Sequence, residues 1–222
     1  MKLSKSEATA AKILDAALVL FREQGFEAAT MRAIAERAGV ATGAAYYYYA
    51  SKEAIIMDFY RRSSEQMQQE LRLALATVKS LEDGLCKLIR VKQNHFAPNR
   101  DVLRALLRNG ADPKYPISPF NADTKELRDA DISWFQHVIT QSGVKVPRDL
   151  APRLPGTLWF FQMGMILFWV TDDSAYQKRT EKLLPLACKV VASLVRLSSL
   201  PLMRPLRKPV LELIEIVAGD EL

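Results

Sequence analysis

The sequence predicts an all-α chain in two parts: a three-helix unit over residues 1–52 and a helical bundle over residues 53–222. Three observations predict it. Apolar residues recur at three- and four-residue intervals along the chain, and no stretch alternates with the period of two that a half-buried strand needs. Thr30 to Glu53 reads as two short helices about a tight Gly turn, followed at once by the start of a long third helix. The second half carries a run, LWFFQMGMILFWV, that is apolar on every helical face, and a later helix with two adjacent apolar stripes. Such elements need a bundle to bury them.

The elements follow in order. Lys2 to Lys5 form a short basic arm. Ser6 is placed to cap a helix that runs to about Gln24 and carries Ile13, Leu14, Ala17, Leu18 and Phe21 on one face. Gly25 ends it, with Phe26 folding back on the last turn as in a Schellman motif. Thr30 is the N-cap residue of the next helix, whose inner face is Met31, Ile34, Ala35 and Ala38. Gly39 stops that helix because it enters the left-handed region without a Cβ penalty, and Val40 plugs the turn. Ala41 or Thr42 opens the following helix, which holds Gly43, Ala44, Ala45 and four tyrosines, Tyr46 to Tyr49. Ser51 caps the long helix, with Lys52 in its first turn.

Two short helices about such a turn place the second where it can enter a DNA major groove. Gly43 and Ala44 keep its start small, so the backbone can approach a partner. Phenolic hydroxyls hydrogen-bond phosphate oxygens without adding charge. Lys52 lies where a helix N-terminus and a cation coincide, and both attract phosphate. The competing reading is an αα-hairpin with an aromatic core patch. Four adjacent tyrosines weigh against it, because successive helical residues turn about 100° and cannot all face a core.

Phe21, Gly25-Phe26, Thr30, Arg32, Ile34-Ala35, Ala38-Gly39-Val40, Gly43, Tyr46, Tyr48-Tyr49 and Ser51-Lys52-Glu53 together resemble the N-terminal signature of the tetracycline-repressor (TetR) family of ligand-responsive transcription regulators. The resemblance covers roughly the first quarter of the chain without a gap. It implies that Arg32, Thr42, Gly43 and Ala44 face base edges, and that Thr30, Tyr46, Tyr48 and Lys52 hold phosphates. It implies that Tyr47 is displayed at the end of the recognition helix and that Tyr49, at a usual Phe position, packs inward. Two positions depart from the pattern. Ala41 stands where Ser is frequent, which removes the expected cap, and Ala45 where a larger apolar residue is common, which suggests a looser seat for the helix.

Beyond Lys52 nothing breaks the long helix to about Val78. Ser80 opens the next, with Leu81, Leu85, Leu88 and Phe96 on a stripe that Lys92 interrupts and Pro98 closing it. Asn99 to Asn109 is a short amphipathic helix with Val102, Leu103, Leu106 and Leu107 inward and Arg100, Arg104 and Arg108 outward. Gly110 to Phe120 carries three prolines and reads as a loop. Asp123 caps a helix to Gly143 bearing Leu127, Trp134, Phe135, Val138 and Ile139, interrupted by Asp131. After a linker, Leu150 to Thr171 is the all-apolar helix. Ser174 with Gln177 resembles a capping box for a helix to about Leu200, with Pro185 as its kink site. Pro201, Pro205 and Pro209 break the chain before a last helix, Val210 to Ala218.

The chain has 222 residues, a net charge of +6 and a pI near 9.3, which permits nucleic-acid binding. The first 52 residues hold seven Lys/Arg against five Asp/Glu, so DNA contact there relies on placement more than on bulk charge. Cys86 and Cys188 show no metal spacing and fit a reduced cytoplasmic protein. The N-terminus lacks a signal-peptide core, and the uncharged run Gly156 to Thr171 falls short of the ~20 residues a bilayer span takes. No nucleophile–base constellation, phosphate loop or metal motif stands out, so catalysis, a cofactor and a bound metal are not expected. Lys92, Phe96, Asp131, Trp134, Phe135, Trp159, Phe161, Gln162, Met163 and Met165 are the candidate lining of an apolar or aromatic effector site, with Lys92 and Asp131 fixing its orientation. The expected partners are a palindromic double-stranded DNA operator, a small-molecule effector and a second copy of the chain, paired through the all-apolar and two-striped helices. No membrane partner is expected. A helical carrier protein without DNA function is the alternative; it accounts for the aromatic middle but not for the displayed tyrosines beside Lys52.

Overall fold

The structure, a computed structural model, describes residues 4–107, 110 and 112–218. The basic arm before Ser4, together with Arg108 and Asn109, lies outside them. Among the described residues there are ten α-helices, short 3-10 turns and no strand. They gather into two compact units, one of Met1–Gln66 with His95–Arg128, the other of Met67–Asn94 with Asp129–Leu222. The units are thus assembled from segments discontinuous in sequence, and the 52/53 boundary read from the sequence falls at the start of a helix.

In the first unit, α1 (Lys5–Gln24) is capped by Ser4 rather than Ser6. The Ser4 hydroxyl accepts from the Glu7 amide and the Glu7 carboxylate accepts from the Ser4 amide, a reciprocal box that Ser6 has no partner to form. Gly25 ends α1 with φ 85° and ψ 161°, outside the left-handed helical region, so no Schellman motif forms there. Phe26 does fold back, its ring 5.0 Å from that of Phe21. The Schellman motif sits instead after α2 (Met31–Ala38), where Gly39 is left-handed, its amide donates to Glu36 O and the Val40 amide donates to Ala35 O. α3 (Thr42–Tyr48) packs on α2, and α4 (Lys52–Leu75) follows. α4 ends three residues before the expected Val78. α6 (Arg100–Leu107) packs on α1 with Val102, Leu103 and Leu106 buried. The loop after it docks on the α1–α2 turn, where the Tyr115 hydroxyl meets Glu27 at 3.0 Å.

The second unit holds α5 (Leu81–Phe96, to Asn94), α7 (Lys125–Ser142, from Asp129), α8 (Leu154–Thr171), α9 (Lys178–Ser198) and α10 (Arg204–Ala218). α7 is introduced by Asn121, whose side chain accepts from the Asp123 amide; Asp123 is not the cap. Gly84 lets α5 lie close to α7, since a Cβ there would come within 2.5 Å of Val138 Cγ1. α8 is not buried on all sides: Leu158, Trp159, Met165 and Trp169 are covered, whereas Leu167 is half-exposed. At 18 residues it is long and apolar enough for a membrane span by length and composition, and 56% of it is buried within the protein. The capping box expected at Ser174 and Gln177 does not form, because Tyr176 and Gln177 adopt positive φ. Asp172 holds the start of α9 instead, accepting from the Ser174 amide and hydroxyl and from the Thr180 amide and hydroxyl. Burial pushes its carboxyl up, but these hydrogen bonds outweigh that and hold it well below the usual carboxylate range. α10 starts at Arg204 and runs through Pro209, six residues earlier than expected.

Candidate nucleic-acid interface and effector site

In the first unit α2 and α3 pack together and each carries exposed residues. Thr30 caps α2, its hydroxyl oxygen accepting from the Ala33 amide at 3.1 Å while its proton remains available to an acceptor such as phosphate. Arg32, in the first turn of α2, is exposed and makes no ion pair among the described residues, whereas Arg37 one turn later is fixed in a two-point pair with Glu23 at 2.7 and 3.0 Å. Thr42 and Gly43 are exposed at the start of α3, and the space where a Gly43 Cβ would point is open to 4 Å. Ala44 is half-buried beside them. Tyr46 is 53% and Tyr47 83% exposed; Tyr48 is half-buried, its ring edge-on to Tyr47 at 5.2 Å. The α3 N-cap is Ala41, with no side-chain cap.

Ala45 is fully buried and seats α3 on its unit. Tyr49, at the end of α3, is buried as expected, but its hydroxyl has a role the sequence reading missed. It donates to Asp58 Oδ2 at 2.6 Å, with Ala10 O a second acceptor at 3.3 Å. Asp58 in turn accepts from Arg62 at 2.8 Å and pairs with Arg61 at 3.1 Å. Burial, with the Asp58 hydrogen bond adding to it, pushes the Tyr49 hydroxyl far up, so it remains a donor at any physiological pH. Lys52 is half-buried. Its ammonium donates to Phe26 O at 2.8 Å and Glu27 O at 3.2 Å and lies 4.6 Å from the Phe26 ring centre, so it ties α4 to the α1–α2 turn.

Of the residues read as lining an effector site, the structure brings four into direct contact. Lys92 on α5 pairs with Asp131 Oδ1 on α7. Asp131 Oδ2 accepts from the indole N–H of Trp159 at 3.1 Å and from the Gln162 amide at 2.9 Å, both on α8. The two polar breaks in otherwise apolar stripes are therefore each other's partner. Their meeting follows from the Gly84–Val138 approach: Lys92 lies eight residues after Gly84 and Asp131 seven before Val138, as antiparallel helices require. Phe135, fully buried, places its ring 5.7 Å from the Lys92 ammonium. Burial pushes the Lys92 amine down, and Asp131 opposes that shift. The Gln162 Oε1 is buried without a hydrogen-bond partner, as are both amide atoms of Gln93. Trp134 and Met163 are half-buried in the same unit, Trp134 edge-on to His137 at 6.1 Å. Phe96 belongs to the first unit, where it packs against Phe59 at 5.9 Å. Gln93 gave no signal in sequence beyond its neighbour Lys92.

Comparison with known proteins agrees with this architecture. The model for bacterial regulatory proteins of the tetR family matches residues 13–57, and that for a tetracyclin repressor-like C-terminal domain matches residues 91–211. No curated protein sequence matches the chain. Among solved structures, the fold is similar to the transcriptional regulator FadR from Bacillus subtilis in complex with stearoyl-CoA (19% identity, 82% of this chain and 97% of that one, TM-score 0.66). It is similar to Salmonella enterica GusR (17% identity, 88% and 100%, TM-score 0.64). It is also similar to Thermus thermophilus FadR, a repressor in complex with lauroyl-CoA (24% identity, 79% and 92%, TM-score 0.55). Since the C-terminal match alone spans more than half of the 222 residues, the chain belongs to the tetR family, whose members are ligand-responsive regulators that bind DNA.

Proposed function

We propose that the protein is a homodimeric transcriptional repressor of the cytoplasm, bound to a palindromic operator and released from it by a small apolar effector. The observation that carries the DNA half is the edge formed by unpaired Arg32, the open face of Gly43 and the displayed Tyr46 and Tyr47. One recognition helix reaches few base pairs, so specific binding calls for two half-sites about 34–36 Å apart or a multiple of one turn. The acyl-CoA complexes of the Bacillus and Thermus proteins support an acyl chain as the first effector class to try. α4 is one helix of 24 residues with a part in each unit, and a small tilt of such a rigid element is the simplest coupling between effector and operator.

The test is fluorescence anisotropy on a palindromic duplex selected from random DNA, titrated with salt and with acyl-CoA. Affinity should fall steeply with salt; the Lys52 ammonium has one N–H left beyond those given to Phe26 O and Glu27 O, and if that one holds a phosphate Lys52→Ala should flatten the log–log slope by about 1. Acyl-CoA or an acyl carboxylate should lower DNA affinity, and DNA should lower effector affinity by the same factor. Salt-independent binding, or no selected sequence at all, would leave the carrier reading.

A further inference from the structure

In the second unit three donors converge on one carboxylate: the Lys92 ammonium, the Trp159 indole N–H and the Gln162 amide all point at Asp131. The donors and the acceptor differ in access to water. The Lys92 side chain is 4% exposed and Gln162 fully buried, whereas the Asp131 side chain is 25% exposed. The donors are therefore fixed in an apolar interior, against Phe135 and Trp159, while the anion is the one member with a path to solvent.

We propose that this cradle is an anion site held by Asp131 in the effector-free protein, and that the effector is an apolar carboxylate whose head group displaces Asp131 from it. The inference rests on the effector-binding reading above and names the chemistry that the site recognises. The exchange is neutral in charge, one carboxylate leaving as another arrives. A buried ammonium left without a counter-charge is costly, so an ester or amide of the same shape cannot make the exchange on equal terms. Charge-assisted hydrogen bonds from the three donors favour the carboxylate further. Displacement would also free α7 from α5 and α8 at this point, which gives the effector a mechanical consequence.

The test is calorimetric titration of the full-length protein with octanoate and with its neutral isostere octanamide. Wild type should bind octanoate at least roughly 10-fold tighter. Asp131→Asn removes the competing charge while keeping the shape, and should tighten octanoate by a further ~10-fold, the opposite of what loss of an ordinary structural contact does. Lys92→Met should abolish the preference. Trp159 makes quenching of indole fluorescence a second readout, measurable on wild type alone if a variant folds poorly. Equal binding of amide and acid, no octanoate binding by wild type or Asp131→Asn, or weaker octanoate binding by a folded Asp131→Asn protein, overturns the proposal. Acyl-CoA release of DNA in the same preparation would leave the repressor reading standing when this one falls.

Discussion

Tyr46 on α3 and Leu194 on α9 are uncovered to nearly the same degree, 53% and 58%, yet they call for different partners. The exposed side chains of α3 end in phenolic hydroxyls, flanked by glycine and an uncommitted arginine. Such a surface is apolar in area but can donate to phosphate and read a base edge. The exposed row on α9, Leu186, Val190, Leu194 and Leu197, offers no hydrogen bond at all. Contiguous aliphatic stripes of this kind mark interaction surfaces or aggregation liabilities. Exposure alone therefore does not distinguish a DNA face from a protein face; the terminal atoms do. Of the two stripes expected on α9, Leu184, Cys188 and Val195 are buried within the unit with Val191 half-buried, while Val190, Leu194 and Leu197 are exposed beside the half-buried Leu183 and Ala187.

The contrast is broken most severely by charge on α9. Leu194→Glu leaves the monomer's fold intact, because the side chain is already in water, but in a dimer it would bury an unpaired carboxylate. Sedimentation should show a monomer, and affinity for a palindromic operator should fall by about 100-fold or more with the loss of bivalency. A dimer that survives would move the interface away from the exposed stripe.

Inside the second unit, Gly84→Ala should destabilise despite alanine's advantage of about 1 kcal/mol in helix propensity. Its Cβ would sit 2.5 Å from Val138 Cγ1, a short and fully buried side chain with nowhere to go. Overpacking of this kind costs about 1–3 kcal/mol, so after the propensity gain the net loss should be up to about 2 kcal/mol in a denaturant melt. The unit should also loosen the Lys92–Asp131 contact, which depends on the same helix approach.

On the DNA side, Arg32→Ala should cost ~1–3 kcal/mol at one base pair of the operator and little on random DNA. Equal losses on both would make Arg32 a backbone contact. Tyr49→Phe is subtler. It removes a buried hydrogen bond from the end of α3, but Asp58 keeps Arg61 and Arg62, so no charge is orphaned. The melt should drop by about 1–2 kcal/mol, with operator affinity falling in step if this anchor sets the helix.

The first unit was legible because its constraints are local. A cap at Thr30, a left-handed Gly39 and a run of four tyrosines fix a turn and a displayed helix within twenty residues. What remained hidden depends on long-range partners. Lys92 and Asp131 stood out as breaks in apolar stripes, but nothing in the sequence says that side chains 39 positions apart share one hydrogen bond. The hydroxyl that distinguishes Tyr49 from Phe carries meaning only once Asp58 is beside it. The start of α9 was misread for a related reason: Ser174 and Gln177 have the right spacing for a box, but Asp172 offers two acceptor oxygens and takes both the hydroxyl and the amide of Thr180 first. Pro205 and Pro209 read as breakers, yet both lie in a helix that begins at Arg204: Pro205 sits in the first turn, where no backbone donor is needed, whereas Pro209 lies past that turn and removes one helical hydrogen bond without ending the helix.

The smallest expected effect lies at Ala41, and it tests how the recognition helix is held. Ala41 already has N-cap geometry, φ −64° and ψ 145°, but no side-chain acceptor for the amides of the first turn. A hydroxyl there would accept from the amide of Gly43, or share that of Ala44 with Ala41 O, without moving the backbone. Ala41→Ser should therefore stabilise the first unit by about 0.5–1 kcal/mol, at the low end because the site is exposed and the Ala44 amide already donates to Ala41 O at 2.9 Å. α3 has only seven residues, so its end is its weakest part and the gain should appear as slower amide exchange at Ala44 and Ala45. The same hydroxyl stands beside the Arg32–Gly43 edge. If Ala41→Ser stabilises the free protein and tightens DNA of every sequence alike, α3 pays an ordering cost on binding that the missing cap sets. If stability rises while affinity is unchanged, α3 is already fully formed in the free protein, and Ala45 and Tyr49 suffice to hold it.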